Sequence, residues 1–370
     1  MKGVVRWMVL LATVGCAGGA ASDGGDCPAP PYFTVLPVDE GAILSTTVIG
    51  GFSPPAHTLP SDHGGLYLEG QGVPLRAPGP LTVTSIRRTR YLTSAFRTGA
   101  EDYALDLNVC GDVRVSLGHI VSLPGSLAGL IQPGGCQQYS TANETVQACY
   151  TRVSQAVNAG GPLGAVGGST AMAFDFGVYD RRHHNAFANP GRFQGQMSQA
   201  LCPWELFTDG PRALLLSRVG VGAQRRMGEP ACGTMEVDRP GTAEGIWIEE
   251  SHAGTVMGGD ESPYLTLTRD VLRPAEQLLF SVGLPALGPG SYTAALGDGA
   301  RPFDQVPPDG ALTCYEVHSG VFRPGGSPRL SFLLSLSGDR LRLEKREDDR
   351  ACDGGPTEWA FGGAVVTFVR

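Results

Sequence analysis

The sequence predicts a mainly β protein of two domains, cross-linked by disulfides, with the second domain a sandwich or a barrel. Three observations carry that expectation. Glycine (53) and proline (28) recur through the 370 residues, and punctuation this frequent favours many short strands over long helices. Between these breaks stand short runs of β-branched, aromatic and alternating residues bounded by turn signals. Nine cysteines are present, with no pair at the two-residue spacing of a zinc knuckle or a thioredoxin-like motif, so the sulfur reads as structural. At ~100–200 residues per domain, the length fits two domains.

The chain opens like an export signal. Lys2 and Arg6 flank the start of an apolar run from Trp7 to Val14, interrupted in polarity by Thr13. That run falls short of the ~20 residues a bilayer span requires. It ends at Thr13-Val14-Gly15-Cys16, which resembles the lipobox of bacterial lipoproteins, with Thr13 where leucine is usual. The alternative is an ordinary cleaved signal peptide in which Cys16 is incidental. Both readings predict export. Residues 1–15 are expected to be the signal peptide and Cys16 the lipidation site, anchoring the protein in the periplasm or at the outer membrane or cell surface. With Cys16 lipidated, eight cysteines remain, an even number suited to disulfides in an oxidising compartment. Their pairing stays open; nearness suggests Cys136 with Cys149, Cys202 with Cys232, and Cys314 with Cys352.

Residues 16–45 are expected to be a tether, poorest in buriable side chains from Cys16 to about Pro31. No later apolar run is long enough to span a membrane, so lipid would be the only anchor. Removing residues 1–15 takes two of the 28 basic residues and no acid, which leaves 26 against 36, a balance of −10. A net acidic chain without long basic runs is a poor binder of nucleic acid or anionic membranes.

In the first folded region, 46–200, strands are predicted at Leu81 to Ile86, Tyr103 to Val109, Val113 to Leu117 and Ala171 to Tyr179. The stretch Thr145 to Ala156 lacks Gly and Pro and lies between Asn143 and Asn158-Ala159-Gly160, which predicts a short helix. In the second region, 201–370, strands are predicted at Ala213 to Val219, Gly245 to Glu249, Tyr264 to Leu267, Leu278 to Val282 and Ser291 to Leu296. Four more follow at Ala311 to Val317, Arg329 to Leu336, Leu341 to Lys345 and Gly363 to Val369. Short strands with turns between them read as a sandwich or barrel.

Four pieces of the first region recur in a recognisable order. They are His63-Gly64-Gly65-Leu66-Tyr67-Leu68, then Gly72-Val73-Pro74-Leu75-Arg76-Ala77-Pro78 and a strand. Tyr103-Ala104-Leu105-Asp106 then leads to Val115-Ser116-Leu117-Gly118-His119-Ile120. Last, Gly167-Gly168-Ser169-Thr170 precedes Ala171-Met172-Ala173-Phe174-Asp175-Phe176-Gly177-Val178. Together they resemble the lysostaphin/LytM-type zinc metallopeptidases, whose fold is a duplicated hybrid motif. The resemblance covers residues from about 50 to 180, with an insertion near 121–155 that carries Cys136 and Cys149.

The resemblance implies a zinc held by three protein ligands with an open position for water, and a histidine nearby to orient that water or steady the oxyanion. Position by position, His63 matches the first ligand and His119 the strand-end catalytic histidine. The second ligand position falls on Tyr67, the other catalytic histidine on Ala173, and the last ligand on Asp175. Alanine neither moves a proton nor binds metal, whereas Asp175 can still ligate and His57 can supply a further ligand. The unorthodox site so implied is His57, His63 and Asp175 beside His119.

Other features carry less. Arg181-Arg182-His183-His184-Asn185 reads as a solvated basic loop or as a rim contact for an anion. Gly160 to Gly168 lacks the Lys-Ser or Lys-Thr of a phosphate loop, and Ser169 lacks a nucleophile elbow. The leading expectation is therefore a cell-envelope lipoprotein with a degenerate LytM-like domain that binds peptidoglycan or an envelope partner with little or no hydrolysis. One alternative is an active zinc endopeptidase that cleaves cell-wall peptides. Another is a metal-free carbohydrate- or protein-binding envelope module.

Overall fold

The computed structural model describes residues 27–94, 97–140, 144–168, 173–193, 195–255, 260–298, 300–319, 330–347, 352 and 359–370. Residues 1–26, with the expected signal peptide and Cys16, lie outside the described residues, as do residues 169–172 of the last motif. The protein is mainly β, as its composition predicts.

Eleven antiparallel strands build the sheet that holds the first region. They are β1 (Ile43–Thr46), β2 (Gly64–Leu68), β3 (Val73–Arg76), β4 (Leu81–Ser94), β5 (Glu101–Asn108) and β6 (Val113–Ser122). The rest are β7 (Cys136–Ser140), β8 (Glu144–Val157), β9 (Pro162–Val166), β10 (Ala173–Asp180) and β11 (Ala200–Leu201). The order is β1-β2-β10-β6-β5-β4-β8-β7, with β11 on β10 and β9 linking β3 to β6. Alternation sets the faces: Leu105, Leu107, Val113, Val115, Leu117, Phe174 and Phe176 are fully buried beneath the sheet, against Phe33, Trp204 and Phe207. The opposite face carries the polar residues described below.

Two secondary-structure expectations are corrected. Residues 145–156 form strand β8, paired with β4 from Leu81↔Val157 to Ser94↔Glu144 and with β7 through Cys136↔Cys149. The absence of Gly and Pro removed breakers of either structure, and Thr145, Val146, Tyr150, Thr151 and Val153 favour a pleated surface. Residues 213–217 of the strand expected at 213–219 belong instead to the helix Asp209–Ser217, which buries Leu215. A short apolar run such as Ala213 to Leu216 has no period to separate strand from helix.

Residues 32–45, expected within the tether, are built into the folded body. Phe33 is fully buried among Phe176 and Phe207, and Tyr32 and Phe33 donate backbone N–H groups to the Leu206 carbonyl. Tyr32, Phe33, Val38 and Ile43 are all buried, and together they hold the segment to the core.

The two-residue strands β12 (Gly220–Val221) and β13 (Gln224–Arg225) form a hairpin. An eight-stranded closed barrel follows, made of β14 (Gly245–Glu249), β15 (Tyr264–Arg269), β16 (Gln277–Val282), β17 (Gly290–Ala295) and β18 (Asp309–Ser319). Strands β19 (Leu330–Ser337), β20 (Arg340–Arg346) and β21 (Val366–Val369) complete it, with Ile248↔Val369 closing the ring. Its interior is filled by Trp247, Phe280, Phe303, Tyr315 and Phe332, with Phe280 stacked on Phe332 at 4.7 Å. Strand β14 is buried on both faces: Trp247 points into the barrel, while Ile246 and Ile248 join the core of the first region.

Four disulfides cross-link the described residues. Cys136–Cys149, Cys202–Cys232 and Cys314–Cys352 are the three that nearness suggests, and Cys27–Cys110 is the fourth. No helix among the described residues is long and apolar enough to cross a membrane.

Candidate functional site

Strict alternation along β6 would bury residue 119 with Val115 and Leu117. A bulge prevents it. Leu117 faces Leu105 and Ile120 faces Tyr103, so Gly118 and His119 together oppose Ala104. Ile120 takes the core position, and His119 emerges on the polar face. His119 adopts φ +59°, the one positive φ on a non-glycine residue among those described. This left-handed conformation costs an ordinary residue about 1 kcal/mol or more, a cost typically met at functional positions.

Three strands bring the predicted residues together. On β10, Asp175 pairs with Gly65 of β2 on one side and Gly118 of β6 on the other. Neither neighbour has a side chain to cover the carboxylate. A methyl group on Gly118 would lie 3.0 Å from Asp175 Oδ2. Asp175 Oδ2 stands 3.3 Å from His119 Nε2 and 3.7 Å from His63 Nε2. The other ring nitrogen of each histidine meets its own carboxylate. His63 Nδ1 is 2.9 Å from Asp62 Oδ1, and His119 Nδ1 is 2.8 Å from Asp102 Oδ2. Asp102 also accepts from the Tyr91 hydroxyl at 2.9 Å. His63 is seated from below: Trp204 occupies the space a Gly64 side chain would need, and its Nε1 donates to the Thr47 carbonyl at 2.9 Å.

The remaining positions are placed as follows. The His57 ring meets His63 edge-on, with centroids 5.5 Å apart. Tyr67 is exposed, pairs with Ala173 across β2 and β10, and lines a cleft of about 210 Å³ with His57, His63 and Asp175. It is therefore a cleft residue. The far wall of the cleft is apolar, built from Phe52, Val221 and Leu272. The Arg181-Arg182-His183 loop is engaged internally, with Arg181 on Asp112, Arg182 on Asp180 and His183 on Asn185.

Burial opposes charge on His63, but the Asp175 and Asp62 carboxylates outweigh it and hold its pKa up to about 9. The His119 pKa is raised likewise, with burial pulling down and Asp175 and Asp102 pushing up. Burial alone would raise the Asp175 carboxyl, yet His119 and His63 hold it below the usual range. His57 is lowered by burial and by neighbouring His63. At neutral pH His63 is therefore an imidazolium, a hydrogen-bond donor without a lone pair on either ring nitrogen.

The donor types suit zinc. Zinc would have to displace the His63 proton and part the contacts to Asp175. Among the described residues no group of three or more His, Cys, Asp or Glu side chains is arranged to hold a metal ion.

Sequence reasoning missed Asp62, Asp102, Tyr91 and Glu261. Asp62 adjoins His63 and was open to notice. Asp102 and Tyr91 act through strand register. Glu261 comes from the far half of the chain, accepts the Leu59 N–H at 2.7 Å and so holds the loop between His57 and His63. No protein-family model matches the chain, and no curated protein matches it.

Proposed function

We propose that this chain is an exported, lipid-anchored envelope protein whose LytM-like domain binds cell-wall peptide, or an envelope partner that presents it, with little or no hydrolysis. The observation that carries this reading is the convergence of His63, just before β2, and His119 of β6 on Asp175 of β10, with His63 and Asp175 lining the cleft. Those are the positions the resemblance singles out. Where hydrolysis would require more, the residues depart: Ala173 holds no proton acceptor and Tyr67 replaces a ligating carboxylate. A protonated His63 beside Asp175 suits recognition of amide carbonyls and carboxylates, and the apolar wall suits an aliphatic side chain. Four disulfides support folding in an oxidising compartment.

The test is retention of the mature protein on purified peptidoglycan. Retention is expected for the wild type and loss for His63→Ala and Asp175→Ala; equal retention of all three refutes the reading. A zinc endopeptidase is the second reading, favoured because each histidine's other ring nitrogen is held by a carboxylate, as in ligating histidines. Stoichiometric zinc lost in both variants, with chelator-sensitive digestion of cell wall, would establish that reading instead.

A further inference from the structure

Six large apolar side chains are exposed among the described residues: Leu44, Tyr67, Tyr139, Tyr150, Val221 and Met227. Tyr67 and Val221 line the cleft. Tyr139 and Tyr150 belong to the β7–β8 hairpin, the insertion pinned by Cys136–Cys149. Strand register puts that hairpin on the same face as the cluster. Asp102 opposes Thr89, Thr89 opposes Ala148, and Arg87 opposes both Ala104 and Tyr150. Asp102 and Tyr91 join His119 in one hydrogen-bonded chain, so Arg87, four residues before Tyr91, shares the face.

Arg87 differs from its neighbours. Arg88 pairs with Glu101, and Arg97 with Glu144. Arg87 meets the tyrosine hydroxyls of residues 139 and 150 in place of a carboxylate, and its Nε is buried without a hydrogen-bond partner. The acid nearest in the register, Asp102, is already committed to His119 and Tyr91. A partly buried guanidinium between two hydroxyls lacks only an anion, and carboxylate is the group its planar fork fits best.

We infer that Arg87, Tyr139 and Tyr150 form a subsite for the free carboxylate end of a peptide, whose preceding residues cross the sheet to the His63–Asp175–His119 cluster. Strand β4 lies two strands from β6, about 10 Å, which about three extended residues span. The site then reads a chain end and not the middle of a polymer. This rests on the peptide-binding reading above and names its ligand class.

The experiment titrates the mature protein with N-terminally dansylated tri-alanine and with the same peptide as its C-terminal amide, read by fluorescence anisotropy. The acid is expected to bind about tenfold tighter or more. Arg87→Gln is expected to erase that gap, weakening the acid more than the amide, and Tyr139→Phe with Tyr150→Phe to narrow it. Because each protein is compared with itself, partial unfolding does not mimic the result. Equal affinity for acid and amide, a gap that survives Arg87→Gln, or no binding of either peptide overturns the subsite. An acid–amide gap without retention on peptidoglycan overturns the cell-wall reading and leaves the subsite standing.

Discussion

Glu261 links the two halves of the molecule through a proton. Its carboxylate accepts the Leu59 N–H at 2.7 Å, and Thr266 Oγ1 beside it donates to the Thr58 carbonyl at 2.9 Å. Burial pushes its pKa up from 4.5 to about 7, against the pull of the Leu59 and Thr58 backbone N–H groups. The folded protein therefore keeps a proton that the unfolded chain has released between those two values. Stability from this group is full below pH 4.5 and is lost as the pH rises through 7. At about 1.36 kcal/mol per pKa unit, the loss is capped at about 3 kcal/mol. Glu261→Gln keeps an acceptor for Leu59 and cannot ionise. It should match the wild type at pH 4.5 and exceed it at pH 8 by about 1–3 kcal/mol. Urea unfolding followed by tryptophan fluorescence measures this, since Trp204 and Trp247 are buried in the two cores. A difference of equal size at both pH values, or a variant less stable at pH 8, would refute the reasoning.

Three further outcomes follow from the geometry. Gly118→Ala puts a methyl group 3.0 Å from Asp175 Oδ2 and 3.2 Å from its Cβ, so the carboxylate must turn from His119; retention on peptidoglycan should fall about tenfold with little change in melting temperature. At His119, with φ +59°, glycine should be more stable than alanine by about 1 kcal/mol in urea midpoints, reversing the usual order within a strand. Replacing Cys136 and Cys149 by serine opens a loop of 13-residue separation, worth about 3 kcal/mol in the chain-entropy view; hydrogen exchange should rise across residues 136–157 while the barrel stays protected.

Much of the barrel is legible in the sequence because each strand is short, apolar in alternation and bounded by turn residues. Gly245 to Glu249 and Leu341 to Lys345 need nothing beyond themselves to be found. Residues 145–156 are not legible in this way, since their strand identity comes from ten pairings with β4 and a disulfide to β7. In the site, His63, His119 and Asp175 follow from the order of the motifs. Their partners do not. Asp102 and Arg87 matter because Thr89 and Ala104 sit opposite them, and Glu261 matters because the barrel docks beside residue 59. Such relations are long-range, and no local spacing encodes them.

The extra residue in β6 has an evolutionary corollary. Since two residues of that strand oppose one of its partner, losing the single codon for residue 119 would restore even alternation, remove the imidazole and dismantle the constellation while sparing the sheet. Gaining that codon would do the reverse. A lineage can thus acquire or abandon this chemistry by one in-frame insertion or deletion, with no substitution anywhere else.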